Sequence, residues 1–183
     1  MSKIRINSHE LVRLEPIKIG FDMLIGYYHL LRYLSDQYQG KLIFEAGTYK
    51  GHGAAVLGMN KRNRVITCDV KAEETYLLTG MKNVEKKICS FNDISDDILL
   101  ESVFMFIDTA HTGDQERIFY DKLKKIGYKG YTLWDDVNIF RKDWQSFDED
   151  AKSGLIKKYE VPILHPDTNF GIIDFGDNID LEI

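Results

Sequence analysis

The sequence predicts an α/β fold built on a seven-stranded, mostly parallel sheet with one reversed strand, and three observations carry that prediction. A short apolar strand, Leu42 to Phe44, runs through Glu45-Ala46-Gly47 into a glycine-punctuated turn and then a helix of small residues, Ala54 to Met59. An unbroken apolar run, Val103 to Ile107, ends on Asp108 and reads as a strand buried on both faces. Near the C-terminus, Tyr159 to Leu164 and Phe170 to Phe175 flank the turn His165-Pro166-Asp167-Thr168-Asn169 as the arms of an antiparallel hairpin. Five strands that alternate with helices, followed by a hairpin, make seven.

Residues 1 to about 15 are mixed in character and read as irregular up to Pro16. From Phe21 to Tyr38 the apolar positions Phe21, Leu24, Ile25, Tyr28, Leu31 and Tyr38 recur at helical spacing, so a helix is expected there, stopped by Gly40. The first strand and its glycine turn, marked by Gly47, Gly51 and Gly53, follow, and Arg64 to Asp69 forms the second strand. Glu73 to Leu78 reads as a short helix ended by Gly80, Lys86 to Cys89 as a third strand, and Ser90-Phe91-Asn92-Asp93 as the turn leaving it. After the fourth strand, Asp114 to Ile126 is a helix with Asp114 as its N-cap, a buried stripe of Phe119, Leu123 and Ile126, and Gly127 as its stop. Gly130 to Trp134 is the fifth strand and runs straight into Asp135-Asp136-Val137-Asn138; a polar helix is expected from about Asp143 to Lys157.

With 183 residues, 44% of them hydrophobic, the chain reads as a single domain over residues 1–183 with a proper core. It shows no internal repeat, linker or low-complexity segment. No apolar stretch is long enough to cross a bilayer and the N-terminus lacks the apolar run of a signal peptide, so a cytoplasmic location and no membrane partner are expected. Cys68 and Cys89 each fall near the end of an expected strand and read as inert thiols rather than a disulfide. The net charge of −5, with acids and bases interspersed, advertises no face for phosphate backbones, so no nucleic-acid partner is expected. Oligomeric state stays open, a homodimer included.

The second strand delivers Asp69 at the position where nucleotide-binding α/β folds place a carboxylate for ribose hydroxyls. The glycine spacing is Gly-x-x-x-Gly-x-Gly, and the dinucleotide fingerprint G-x-G-x-x-G is missing, which disfavours a nicotinamide dinucleotide. By itself this spacing also suits a turn in some other α/β protein. The E-x-G-x-x-x-G pattern from Glu45 to Gly51 resembles motif I of the Rossmann-like class I S-adenosylmethionine-dependent methyltransferases. That resemblance implies S-adenosyl-L-methionine as cofactor, with Glu45, Gly47, Tyr49, Gly51 and Gly53 around its amino-acid end. It further implies Asp69 on the ribose, the Ser90–Asn92 turn at the adenine, and Asp108 at the ammonium group. It also supplies a strand order, 3-2-1-4-5-7-6.

In that order the fourth and fifth strands are neighbours about 4.8 Å apart, so Asp108 and the pair Asp135-Asp136 converge. Three carboxylates crowded at neutral pH need a compensating cation, and a hard divalent ion such as Mg²⁺ suits oxygen ligands. Here the likeness sharpens to the small metal-dependent O-methyltransferases of the catechol and caffeoyl-CoA type. Their loop has the form E-L-G-A-Y-x-G-Y-S, and this chain has Glu45-Ala46-Gly47-Thr48-Tyr49-Lys50-Gly51-His52-Gly53. Their metal ligands, a strand-four aspartate and a strand-five Asp-Asn pair, fall on Asp108, Asp135 and Asp136. Three departures stand out: Gly53 replaces a serine, Asp136 replaces an asparagine, and His111 takes the place of a lysine base. Ile107-Asp108-Thr109-Ala110-His111 is also similar to an Asp-Gly-Asp-His segment in a group that includes sugar O-methyltransferases. The resemblance implies His111 as base, Asp108 as a catalytic ligand, and a small-molecule hydroxyl acceptor, best with two adjacent oxygens as in a vicinal diol or hydroxy acid. Paired acids after a strand more commonly cap a turn, and His9, His29, His52 and His165 read as structural or surface residues. A metal-free methyltransferase on another acceptor, and a cofactor-binding fold kept for interaction, are the competing readings.

Overall fold

A computed structural model describes residues 3–162 and 169–182. The main sheet is made of β4 (Leu42–Ala46), β5 (Arg64–Asp69), β6 (Val84–Ile88), β7 (Ser102–Ile107), β8 (Tyr131–Trp134), β9 (Lys157–Val161) and β10 (Phe170–Asp174). Their spatial order is β6-β5-β4-β7-β8-β10-β9, with β10 running antiparallel to both β8 and β9 and every other pairing parallel. Numbered along the main sheet alone, this is the expected 3-2-1-4-5-7-6, and the order reverses between β4 and β7.

The central strands read as continuous apolar runs because both of their faces are covered. Every residue of β4 is buried: Leu42, Phe44 and Ala46 face one core, Ile43 the other. One core is closed by α4 (Asp96–Glu101), α5 (Asp114–Ile126) and α6 (Arg141–Ser146), which contribute Leu99, Phe119, Leu123 and Trp144. The other is closed by α2 (Tyr27–Asp36) and α3 (His52–Gly58), whose Leu30, Leu31, Leu34, Val56 and Leu57 are buried against Val65, Phe104 and Phe106. Burying such side chains contributes roughly 1.5–3 kcal/mol each and accounts for most of what holds the layers together.

Four expectations are corrected. The first residues are not irregular: β1 (Ile4–Asn7) pairs in parallel with β11 (Ile179–Glu182), and α1 (Ser8–Leu11) follows. The helix expected from Phe21 starts only at Tyr27. Before it, β2 (Ile17–Ile19) and β3 (Asp22–Leu24) form a hairpin in which the turn residue Phe21 is 97% exposed. Positive φ at Gly20 and Gly26 breaks the helical period on both sides of that arm. The polar helix expected over Asp143–Lys157 is two short ones, α6 and α7 (Asp148–Lys152), because the fully buried Phe147 sits at the joint and Lys157 already opens β9. The N-cap of α5 is Gly113 rather than Asp114, and Glu116 Oε2 accepts from the Gly113 amide at 2.8 Å. The β9 arm was expected to run to Leu164; Leu164 and the turn residues 165–168 lie outside the described residues. Among the described residues no helix is long and apolar enough to cross a membrane.

Candidate active site

The carboxyl ends of the parallel strands open into a cavity of about 490 Å³, at the place where the strand order reverses. Five of the residues expected to bind a cofactor line it together: Gly47, Tyr49, Asp69, Ser90 and Asp108. Close approach of neighbouring strands shapes its floor. A Cβ on Gly47 would stand 1.5 Å from the Asp108 carbonyl oxygen, so only glycine lets the loop leave β4 across the end of β7. The amides of Gly47 and Thr48 both donate to the Cys68 carbonyl, at 2.8 and 3.2 Å.

Asp69 organises the loop. Its Oδ2 accepts from the Tyr49 amide at 2.9 Å and its Oδ1 from the Lys71 amide at 3.0 Å, and a carboxylate with four acceptor sites retains room for hydroxyl donors. The first bond holds Tyr49 at φ +43, a region that bulky L-residues enter at a cost of order 1–3 kcal/mol. Among the described non-glycine residues, positive φ occurs at four positions, and Tyr49, His111 and Asp136 are three of them. Backbone strain thus concentrates around this cavity. From the other side, the β2–β3 hairpin is tied to the loop, for Asp22 Oδ2 accepts from the Tyr76 hydroxyl at 3.1 Å and lies 2.8 Å from His52 Nε2. His52 is structural here.

The remaining loop residues stand elsewhere. Gly51 and Gly53 lie at the start of α3, outside the lining, and Glu45 is 1% exposed beneath them. Thr67 Oγ1 donates to Glu45 Oε2 at 2.5 Å, and Thr48 Oγ1 is 2.6 Å from Thr67 Oγ1. Burial pushes the Glu45 carboxyl up to about 8, with the charges of Asp108 and Asp69 adding to it and the Thr67 bond opposing it. A Cβ on Gly53 would meet Glu45 Oε1 at 2.1 Å, which is a physical reason for glycine where the resembling enzymes carry serine. Asn92 stands behind the wall: its Nδ2 donates to Gln115 Oε1 at 2.8 Å, while its buried Oδ1 has no hydrogen-bond partner among the described residues.

The second constellation adjoins the first at Asp108. The Asp108 amide bonds the Ala46 carbonyl at 2.8 Å and the Asp135 amide bonds the Ile107 carbonyl at 3.0 Å, so sheet pairing itself carries both acids to one level. His111 stands between Asp108 and Asp136, with Nε2 3.5 Å from Asp108 Oδ1 and 3.6 Å from Asp136 Oδ2. Burial alone draws the His111 imidazole down, but the hydrogen bond to Asp108 and the charges of Asp108, Asp136 and Asp135 outweigh it and hold the ring above its ordinary 6.5. Asp135 is pushed up to about 7, by burial first and then by repulsion from Asp108 and Asp136. The His111 ring lies parallel to Phe140, with centroids 6.1 Å apart.

All three acids offer hard oxygen donors whose mutual repulsion a divalent cation would relieve, so the donor chemistry fits such an ion. Among the described residues no three His, Cys, Asp or Glu side chains are gathered as a metal site, and the His111 imidazole stands between Asp108 and Asp136.

Three further residues of the site carry no local signal in the sequence. Glu116, one turn into α5, is 1% exposed, lines the cavity, and accepts from Gly113 and from the Thr109 hydroxyl. Tyr28, at the start of α2, lies near enough to Asp108 and Asp135 for their charges to join burial in pushing its phenol up to about 12. Both cysteines are free thiols, as expected; Cys68 is buried, whereas Cys89 is half-buried and lines the cavity beside it. Trp134 and Trp144 are both fully buried core residues.

No protein-family model matches the chain, and no curated protein does. Solved structures do match its fold. An rRNA methylase from Streptococcus thermophilus superposes with a TM-score of 0.64 at 11% identity, over 81% of this chain and 95% of the other. The O-methyltransferase TomG from Streptomyces achromogenes, solved with S-adenosylmethionine, gives 0.61 at 17% identity, over 80% and 78%. An S-adenosylmethionine-dependent O-methyltransferase from Thermotoga maritima gives 0.58 at 14% identity, over 92% and 70%. The chain has the Rossmann-like fold of these methyltransferases.

Proposed function

We propose that this chain is an S-adenosylmethionine-dependent methyltransferase that methylates a hydroxyl group of a small molecule. One observation supports this reading above the others: the cofactor-type cavity and the cluster of Asp108, Asp135, Asp136 and His111 share Asp108 at the switch point of the sheet. A methyl donor in the cavity, with its ribose on Asp69 and its adenine against the Ser90–Phe91 wall, brings its reactive end to Asp108. The solved neighbours of this fold that carry S-adenosylmethionine or its product support the same ligand.

Asp108, Asp135 and Asp136 would hold a divalent ion, Mg²⁺ or a similar cation. Such an ion, when bound, supplies a Lewis acid that makes an acceptor hydroxyl easier to deprotonate. The chain's own part is to hold and move the proton. His111 Nε2 receives it from the acceptor oxygen; where no ion occupies the acids, Asp108 and Asp136 stabilise the imidazolium that results. With the nucleophilic oxygen beside the sulfonium methyl, positioning contributes the larger share of the acceleration. For the ion to be held by all three acids, His111 must leave its present place between Asp108 and Asp136.

The cavity lining holds Asp69, Glu73, Asp108 and Glu116 against Lys71, and the chain carries a net charge of −5, so a neutral small molecule suits the site better than an RNA backbone. The test is methyl transfer from radiolabelled S-adenosylmethionine to a panel of catechols, sugars and hydroxy acids, with Mg²⁺ and with chelator. Product that requires the metal and vanishes in Asp108→Asn supports the whole reading. Equal product with and without chelator removes the metal and leaves His111 as sole activator. Absence of transfer to any hydroxyl removes the proposed reaction.

A further inference from the structure

Both cysteines of the chain line the cavity, on neighbouring parallel strands. Cys68 is buried near the end of β5, and Cys89, immediately after β6, is half-buried. In the register, Cys68 stands opposite Lys87, so Cys89 is two residues further along the partner strand and on the same face. Both belong to one side of the sheet: Cys68 is part of the core cluster against which Cys89 packs, and burial, with Cys89 nearby, pushes the Cys68 thiol up. Each backbone is part of the cavity's frame, for the Cys68 carbonyl receives the Gly47 and Thr48 amides and the Cys89 amide donates to the Asp69 carbonyl.

We infer that Cys68 and Cys89 are a redox-active dithiol whose disulfide form and bound methyl donor exclude each other. The inference concerns the cavity already assigned to the donor and rests on that assignment. The oxidant is a low-molecular-weight disulfide such as oxidised glutathione. Cys89, the thiol that solvent reaches, attacks one of its sulfurs as the thiolate, forming a mixed disulfide and releasing one glutathione thiol. Cys68 then loses its proton to water and attacks the Cys89 sulfur, forming the internal disulfide and releasing the second glutathione. Two protein thiols lose two electrons and two protons, and one disulfide becomes two thiols.

Geometry makes the exclusion. For ideal strands a diagonal pair of this kind has Cα atoms roughly 8 Å apart, whereas a disulfide spans at most about 6.8 Å. Closing the bond therefore draws Cys89 and the attached Ser90-Phe91 wall toward β5, into the space assigned to adenine. A bond formed under that pull is easily reduced, as a reversible switch requires.

The experiment treats the whole protein with oxidised glutathione, with and without S-adenosylhomocysteine, and reads intact mass, the tryptic map and calorimetric affinity. Expected are a loss of two hydrogens, a cross-linked peptide pair holding Cys68 and Cys89, at least tenfold weaker binding of S-adenosylhomocysteine, and restoration by dithiothreitol. S-adenosylhomocysteine should slow the oxidation. In Cys68→Ser the reaction should stop at a glutathione adduct on Cys89, and in Cys89→Ser oxidation should not occur. Persistent free thiols, or a disulfide that leaves affinity unchanged, overturns the inference. Reduced protein that binds no S-adenosylhomocysteine overturns the donor assignment itself, and the inference falls with it.

Discussion

Replacing Glu45 with glutamine should free the protein from a pH dependence that its own buried carboxyl imposes. Burial holds that carboxyl at about 8 against an ordinary 4.5, so between these values the unfolded chain releases a proton that the folded chain keeps. Its contribution is therefore fully present below 4.5 and is lost as pH rises toward 8, at about 1.36 kcal/mol per pH unit. The gap of about 3.5 pH units amounts to about 5 kcal/mol in all, a large share of a typical domain's stability. Glutamine keeps the shape and an acceptor for the Thr67 hydroxyl but has no proton to lose. Urea unfolding, followed by the fluorescence of the buried Trp134 and Trp144, gives the assay. Between about pH 5.5 and 7.5 the stability of Glu45→Gln relative to wild type should grow by roughly 2–3 kcal/mol. Two curves that stay parallel over that range would refute the buried, neutral carboxyl.

The close fit of Gly53 over that carboxyl predicts that Gly53→Ala destabilises the fold by about 1–3 kcal/mol, since the new Cβ must displace Glu45 Oε1; thermal unfolding checks it. Asp69→Ala should weaken S-adenosylhomocysteine binding at least tenfold by calorimetry, because it releases the strained Tyr49 amide as well as the ribose acceptor. His111→Ala should lower kcat roughly 10²–10⁴-fold in the methyl-transfer assay, with the affinity for S-adenosylhomocysteine unchanged. An effect on that affinity instead would make His111 a structural counter-ion for Asp108 and Asp136.

Much of this architecture was written in local signals. Apolar runs such as Val103–Ile107, closed by an acid or a glycine, mark strands because a parallel sheet covered on both faces needs no alternation. The order of those strands came through the resemblance, and the observed pairings agree with it. What stayed hidden depends on partners distant in the chain. The β1–β11 pairing joins Ile4 to Ile179, and no window of sequence contains both. The β2–β3 hairpin was masked because Leu24, Ile25 and Tyr28 happen to fall at helical spacing, whereas Gly20 and Gly26 decide the backbone. At the site, the spacing of His111 after Asp108 was legible, as were the acids ending two strands. The position of the imidazole between Asp108 and Asp136, the fit of Gly53 over Glu45, and the placement of Tyr28 against the acids are products of packing between elements. They are absent from any local pattern.

Calorimetric titration of the reduced, metal-free protein with S-adenosylhomocysteine tests the central claim most directly, for it asks whether the cavity at the β4–β7 reversal is a methyl-donor site. Saturable one-to-one binding is the predicted result. A flat titration, under conditions where the protein is folded, contradicts it.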